Sequence, residues 1–116
     1  MKIVIAGDFA PRDRVSKLIE QNLFENIVGK VIPIINESDY AIVNLECPII
    51  SGIEKKIIKQ GQAFGTNEKT INLLKHSGFD CVTLANNHFR DYGSPGCIYT
   101  LNALCSSGLD IVGGGN

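Results

Sequence analysis

The sequence predicts an α/β domain built on a largely parallel sheet flanked by helices. Three observations carry this reading. Short apolar runs alternate with segments of helical periodicity, in the order β-α-α-β-loop-α-β-α-β. The runs are continuously apolar rather than alternating, as strands buried on both faces are, so helices are expected on both sides of the sheet. No linker, repeat or low-complexity tract divides the 116 residues, which suffice for one small domain with its own core.

The elements follow in order. Residues 3–6, a short run rich in β-branched residues and followed by Gly-Asp, form the first strand. Pro11 suits a helical first turn, and Val15, Leu18, Ile19 and Leu23 follow at helical spacing. Residues 30–38 read as a second short helix, with Pro33 tolerated only in its first turn. Tyr40–Leu45 is the second strand. Residues 48–65 form a long loop with glycines at 52, 61 and 65, a length that points to function or disorder. Asn67 can cap a third helix that buries Ile71, Leu73 and Leu74 and stops at Gly78. Residues 79–84 are the third strand. Ser94 caps a fourth helix with Pro95 at its first position, Leu101, Leu104 and Cys105 on its inner face and Gly108 past its end. Residues 109–112 are the fourth strand, and "GGGN" follows.

Composition removes several function classes. A formal net charge of −1 provides no basic face for general nucleic-acid binding, but leaves room for a small anionic substrate held by local charge. Apolar residues at 44% and charged residues at 20% are ordinary for a globular chain. No apolar run approaches the roughly 20 residues of a membrane span. The apolar stretch at the N-terminus is too short for a signal peptide. As it stands the chain reads as cytoplasmic, and as membrane-associated or extracytoplasmic if a leader precedes it. Cys47, Cys81, Cys97 and Cys105 form no Cys-x-x-Cys pair and read as small buried hydrophobes in a reducing compartment.

Ligands of open α/β sheets bind beyond the carboxyl ends of the strands. Asp8 follows the first strand; Asn44 and Glu46 lie at the end of the second; Asn86, Asn87, His88 and Asp91 follow the third. Each has a structural alternative. Asp8 can be a turn residue, Glu46 a solvated charge, the asparagines residues of a left-handed turn, His88 a packing residue and Asp91 a helix-approach residue. Together they form a set of oxygens and one imidazole suited to a divalent cation such as manganese, zinc or magnesium.

Here the residues resemble a known family. "GDF" near the start, "NLECPI" in the middle and "LANNHF" followed by "DYG" later are similar, in that order, to the CapA-type proteins of bacterial poly-γ-glutamate capsule synthesis, within the calcineurin-like metallophosphoesterase superfamily. The likeness runs from residue 2 to the final glycines. It implies the N-terminal portion of a four-layer α/β-β/α metallophosphatase fold, so residues 1–116 are expected to be one domain that is a fragment of a larger one. It implies metal ligation by Asp8, Glu46 and Asn87, phosphate contact and leaving-group protonation by His88, and an orienting role for Asp91. Asn44, Asn86 and Lys59 are the candidate substrate-binding residues, Lys59 through the long loop that also carries Lys55 and Lys56.

Two departures from the superfamily pattern stand out. The histidine two residues after the first aspartate is absent, the run being Asp8-Phe9-Ala10, and the histidines that complete such sites have no counterpart, since His76 at a helix end suits a structural role. The implied function is therefore a metal-dependent hydrolase acting on an anionic small molecule or polymer when the site is complete, with the fragment alone inactive and prone to self-association. One alternative is a non-catalytic capsule assembly or export factor that keeps the binding site. The other is a doubly wound domain binding a phosphorylated ligand at the glycines and helix N-termini.

Overall fold

The structure, a computed structural model, describes residues 1–115. Four strands form one sheet: β1 (Ile3–Phe9), β2 (Tyr40–Leu45), β3 (Cys81–Thr83) and β4 (Asp110–Val112). They lie in the order β1-β2-β3-β4 and every pair is parallel. Three short helices, α1 (Asp13–Glu20), α2 (Glu25–Val28) and α3 (Ile32–Asn36), connect β1 to β2. The long loop and α4 (Lys69–Ser77) lead to β3, and α5 (Gly93–Cys105) leads to β4. This is the expected α/β arrangement with a parallel sheet and flanking helices. Among the described residues no helix is long and apolar enough to cross a membrane.

The strand order decides which face is covered. Successive parallel strands joined by right-handed crossovers place every connection on the same side of the sheet. On that side Val43, Leu45, Val82 and Leu84 pack with Ile71 and Leu74 of α4 and Leu104 of α5 into the core. The opposite face carries Ile3, Ile5, Tyr40, Ile42, Asn44, Cys81, Thr83, Asp110 and Val112, placed together by the register. There Ile3 is 47% exposed, Ile5 76% and Val112 57%. The expectation of helices on both faces is thus corrected: apolar residues at both alternations of β1 reflect one covered face and one open face.

Element boundaries shift for local reasons. β1 runs three residues past Ala6, because Asp8 and Phe9 pair with Asn44 and Leu45 instead of turning away. Leu23 lies beyond the end of α1, and the four-residue α2 was not anticipated. α4 begins at Lys69, whose backbone N–H is taken by Asn67 Oδ1 at 2.9 Å, so Asn67 satisfies the first turn from just outside it. Gly78 ends α4 in the left-handed conformation, φ 91°. β3 keeps only three of the expected residues. Asp80, just before it, accepts the Ala41 N–H at 2.8 Å through its carboxylate. Ser94 lies inside α5 and makes no cap; Tyr92 holds that position. The buried face of α5 is Gly96, Thr100 and Leu104, one turn apart each, which leaves Cys105 exposed rather than on the inner face.

The loop of residues 48–65 is tied to the body along its length. Ile49 pairs with Thr66 in an isolated parallel bridge, and its backbone exchanges bonds with the buried Thr100 hydroxyl at 2.9 and 3.1 Å. Glu54 caps a turn by accepting from the backbone and hydroxyl of Ser51 and from the Gly52 N–H. Further ties run to Asp91, to His88 and to Arg12.

Candidate functional site

Parallel strands end on the same side, so the residues after β1, β2 and β3 share one edge of the sheet. Register alone would not suffice for Asp8. With strict alternation after Ala6, Asp8 would point into the core side and face Leu45. A β-bulge intervenes: Ala6 pairs with Val43, but Asp8, not Gly7, pairs with Asn44. The extra residue turns the Asp8 side chain to the open face beside Asn44.

A chain of hydrogen bonds follows. The Asn44 amide donates to Asp8 Oδ1 at 2.6 Å. Its carbonyl oxygen accepts from the Thr83 hydroxyl at 3.0 Å and from Asn86 Nδ2 at 3.2 Å. Asn86 Nδ2 also donates to the Leu45 carbonyl at 2.8 Å, and Asn86 Oδ1 accepts the His88 N–H at 3.0 Å. Asn44 and Asn86 therefore brace Asp8 and the segment after β3 against β2. Glu46 follows β2 with its N–H on the Phe9 carbonyl at 2.9 Å. Neither the Glu46 nor the Asn87 side chain hydrogen-bonds to a described residue, and Asn87 is exposed.

A second group is built on Asp91, whose side chain is 1% exposed. Its Oδ2 accepts from His88 Nδ1 and from the Phe64 N–H, both at 2.7 Å. Its Oδ1 accepts from Lys59 Nζ at 2.6 Å, and its backbone carbonyl takes the Ile57 N–H at 2.9 Å. Burial pushes the Asp91 carboxyl up, but the bonds from Lys59, His88 and the Phe64 N–H outweigh it and hold it below its ordinary range. An ionised Asp91 accepts the hydrogen bond from His88 Nδ1, which orients the ring and leaves Nε2 free of Asp91. The loop also reaches the imidazole: the Phe64 ring stacks on His88 with centroids 3.9 Å apart and 19° between planes.

The structure thus links Asp8, Asn44 and Asn86 directly, sets Asn87 and His88 next in the chain, and joins His88, Asp91 and Lys59 in a second cluster. Lys59 is 21% exposed and its ammonium is directed at Asp91. Lys55 and Lys56 are exposed. His76 bonds Glu25 at 2.7 Å across α4 and α2, a structural pairing beside Phe24. Burial raises the Cys47 thiol to about 12, with the charges of Glu46 and Asp91 adding to it, so this cysteine beside the site is an inert packing group. The sequence reading passed over Phe64 and Arg12. The single aromatic residue of the long loop, and a guanidinium four residues after Asp8, were the signals available.

The donor set can be weighed against a divalent cation. Asp8, Glu46 and Asn87 supply two carboxylates and an amide oxygen, the hard donors that manganese or magnesium prefer and zinc accepts. Among the described residues no three His, Cys, Asp or Glu side chains converge as a metal cage. The residues fit part of such a site, open on the uncovered side.

Comparison with known proteins agrees with the motifs. The chain is 35% identical over 109 residues to the PGA biosynthesis protein CapA of Bacillus subtilis (strain 168), covering 94% of this chain and 29% of that protein. It is 29% identical over 117 residues to the capsule biosynthesis protein CapA of Bacillus anthracis, covering 99% of this chain and 28% of that protein. The chain spans less than a third of the length of either relative. The sequence model of the family described as bacterial capsule synthesis protein PGA_cap matches residues 2–116, and the chain belongs to that family.

Proposed function

We propose that this chain provides the first part of a metal-dependent hydrolase site that acts on an anionic substrate in poly-γ-glutamate capsule synthesis. The observation that supports this reading best is the hydrogen-bonded run from Asp8 through Asn44 to Asn86, which sets a carboxylate beside the Asn87-His88 pair. Asp8, Glu46 and Asn87 would hold the cation. When bound, it would acidify a water molecule and neutralise charge on a substrate oxyanion.

The chain's own residues do the rest. Asn44 fixes the rotamer of Asp8. Asp91 holds His88 through Nδ1 and so fixes the plane of the ring, leaving Nε2, which in the imidazolium can hand a proton to a leaving oxygen. Lys59 keeps Asp91 ionised in its buried place, and so acts on the reaction through His88.

Manganese titration followed by electron paramagnetic resonance tests this. Asp8→Asn and Asn87→Ala should each weaken binding by about tenfold or more. Equal affinity in both variants and the unaltered chain would remove the site. Manganese binding that depends on both residues in a family-length protein that hydrolyses nothing would favour the assembly or export factor.

A further inference from the structure

The edge described above is rich in carboxylates, and Asp8, Glu46 and Asp91 all disfavour an approaching anion. A cation has to answer them. Lys59 is committed to Asp91 at 2.6 Å. Arg12, just before α1, stands differently. Its guanidinium carbon lies 4.4 Å from the centroid of the Phe64 ring, and its NH1 group donates to Gln62 Oε1 at 2.9 Å. His88 already stacks on Phe64 at 3.9 Å. Two groups at such distances cannot share one face of a ring, so Phe64 is held between the imidazole on one side and the guanidinium on the other. The same loop residues that hold His88 also present Arg12.

We propose that Arg12, displayed on Phe64, binds a second anionic group of a ligand whose first anionic group lies at His88. The inference rests on the hydrolase reading and extends it to the ligand: a molecule carrying repeated oxyanions, carboxylate or phosphate, rather than a lone anion. Arginine has five N–H donors in a planar fork, and the contact to Gln62 uses one of them. The ring contact at the guanidinium carbon and the one bond to Gln62 leave further N–H groups for a bidentate oxyanion. Arg12 is exposed, so these groups meet solvent. Its cation–π contact and its bond to Gln62 restrict the side chain beforehand, which lowers the entropy lost on binding. A single anion at His88 is one aromatic thickness away from Arg12, whereas a ligand with successive oxyanions reaches both.

Isothermal titration of the chain with tripolyphosphate, a glutamate oligomer and orthophosphate, at low ionic strength, tests the proposal. Arg12→Gln keeps a donor for Gln62 but removes the charge. It should weaken whichever multivalent probe binds by about tenfold or more, the worth of a charged hydrogen bond, and leave orthophosphate nearly unchanged. Phe64→Leu, which keeps bulk but loses the platform, should weaken the same probe. The probe that binds distinguishes phosphate from carboxylate. Equal losses for orthophosphate and the multivalent probe, or no loss in Arg12→Gln, would overturn the assignment, as would failure of both multivalent probes to bind. Manganese binding measured alongside separates the two levels. If it is retained and Asp8-dependent while Arg12 has no effect, only this inference falls; if it is absent from the unaltered chain, the hydrolase reading falls first.

Discussion

Asp8 stands opposite Asn44, not Leu45, because β1 contains one residue more than β2 between their paired ends. That single residue moves a carboxylate from the core side of the sheet to the open side. Inserting one alanine between Gly7 and Asp8 should, with the bulge kept, set the alanine opposite Asn44 and Asp8 opposite Leu45, on the core side. An unpaired carboxylate there is expected to cost about 3 kcal/mol or more, with manganese binding lost. Gly7→Ala is the control. Nothing lies within 4 Å of the added Cβ and the backbone is not left-handed, so stability should change by less than about 0.5 kcal/mol. Urea denaturation distinguishes the two, and equal stability of the insertion would refute the role given to the register of Asp8.

Asn44 is the amide on which this arrangement turns. It donates to Asp8 and accepts from Thr83 and Asn86. Asn44→Asp removes the donor and sets two carboxylates at hydrogen-bond distance. It should destabilise the chain by about 1–3 kcal/mol, more than a charge change at an exposed site does. Asn44→Ser, which keeps a short donor, should lose less. A chemical denaturation series that ranked Asp above Ser would contradict the direction of the Asn44–Asp8 bond.

Much of this was legible in the sequence, for physical reasons that differ by residue. The parallel sheet followed from the alternation of apolar runs with helical spacing, and β2 was found to the residue because it is buried on one face and bounded by Asp39 and Glu46. The one-sided cover was not legible. Ile3 and Ile5 are as apolar as Val4 and Ala6, and nothing local in a sequence tells a covered face from an open one. Nor was the bulge, since Gly7-Asp8 is also a good turn. Lys59 illustrates the limit for the site. A lysine in a long loop reads as a free cation until the fold brings a carboxylate from 32 residues away to 2.6 Å.

That pair sets a pH dependence. The Asp91 carboxyl is held below its ordinary range in the folded chain, so its contribution is fully present above the unfolded value of about 4 and is lost as pH falls through the folded value. The chain should therefore lose stability on acidification below about pH 4. Asp91→Asn should flatten this part of the curve while lowering stability at neutral pH. Lys59→Met removes the largest favourable partner and should cost about 2 kcal/mol at neutral pH and move the acid transition upward. Circular dichroism of thermal unfolding between pH 3 and pH 7 checks both, and a Lys59→Met transition that did not move would sever Lys59 from Asp91.

The open face of the sheet carries the last expectation. Ile3 and Ile5 of β1 and Val112 of β4 are exposed on the same side. Apolar groups exposed on one face of a sheet gain about 25 cal/mol for each Å² removed from water, and a second copy of the same face is the nearest partner in a pure sample. The chain should self-associate with rising concentration, as read by sedimentation velocity. Ile5→Lys, on the edge strand, should shift the distribution toward monomer without lowering stability, because that side chain contributes little burial in the monomer. The same openness bears on chemistry. Asp8, Glu46 and Asn87 would leave most positions of a cation to water, and a catalytic metal needs several fixed protein ligands as well as one open position. The chain alone is therefore expected to release no measurable product from an aryl phosphate with manganese or zinc present. Metal-dependent hydrolysis by the purified chain, abolished in Asn87→Ala, would show that these three donors suffice.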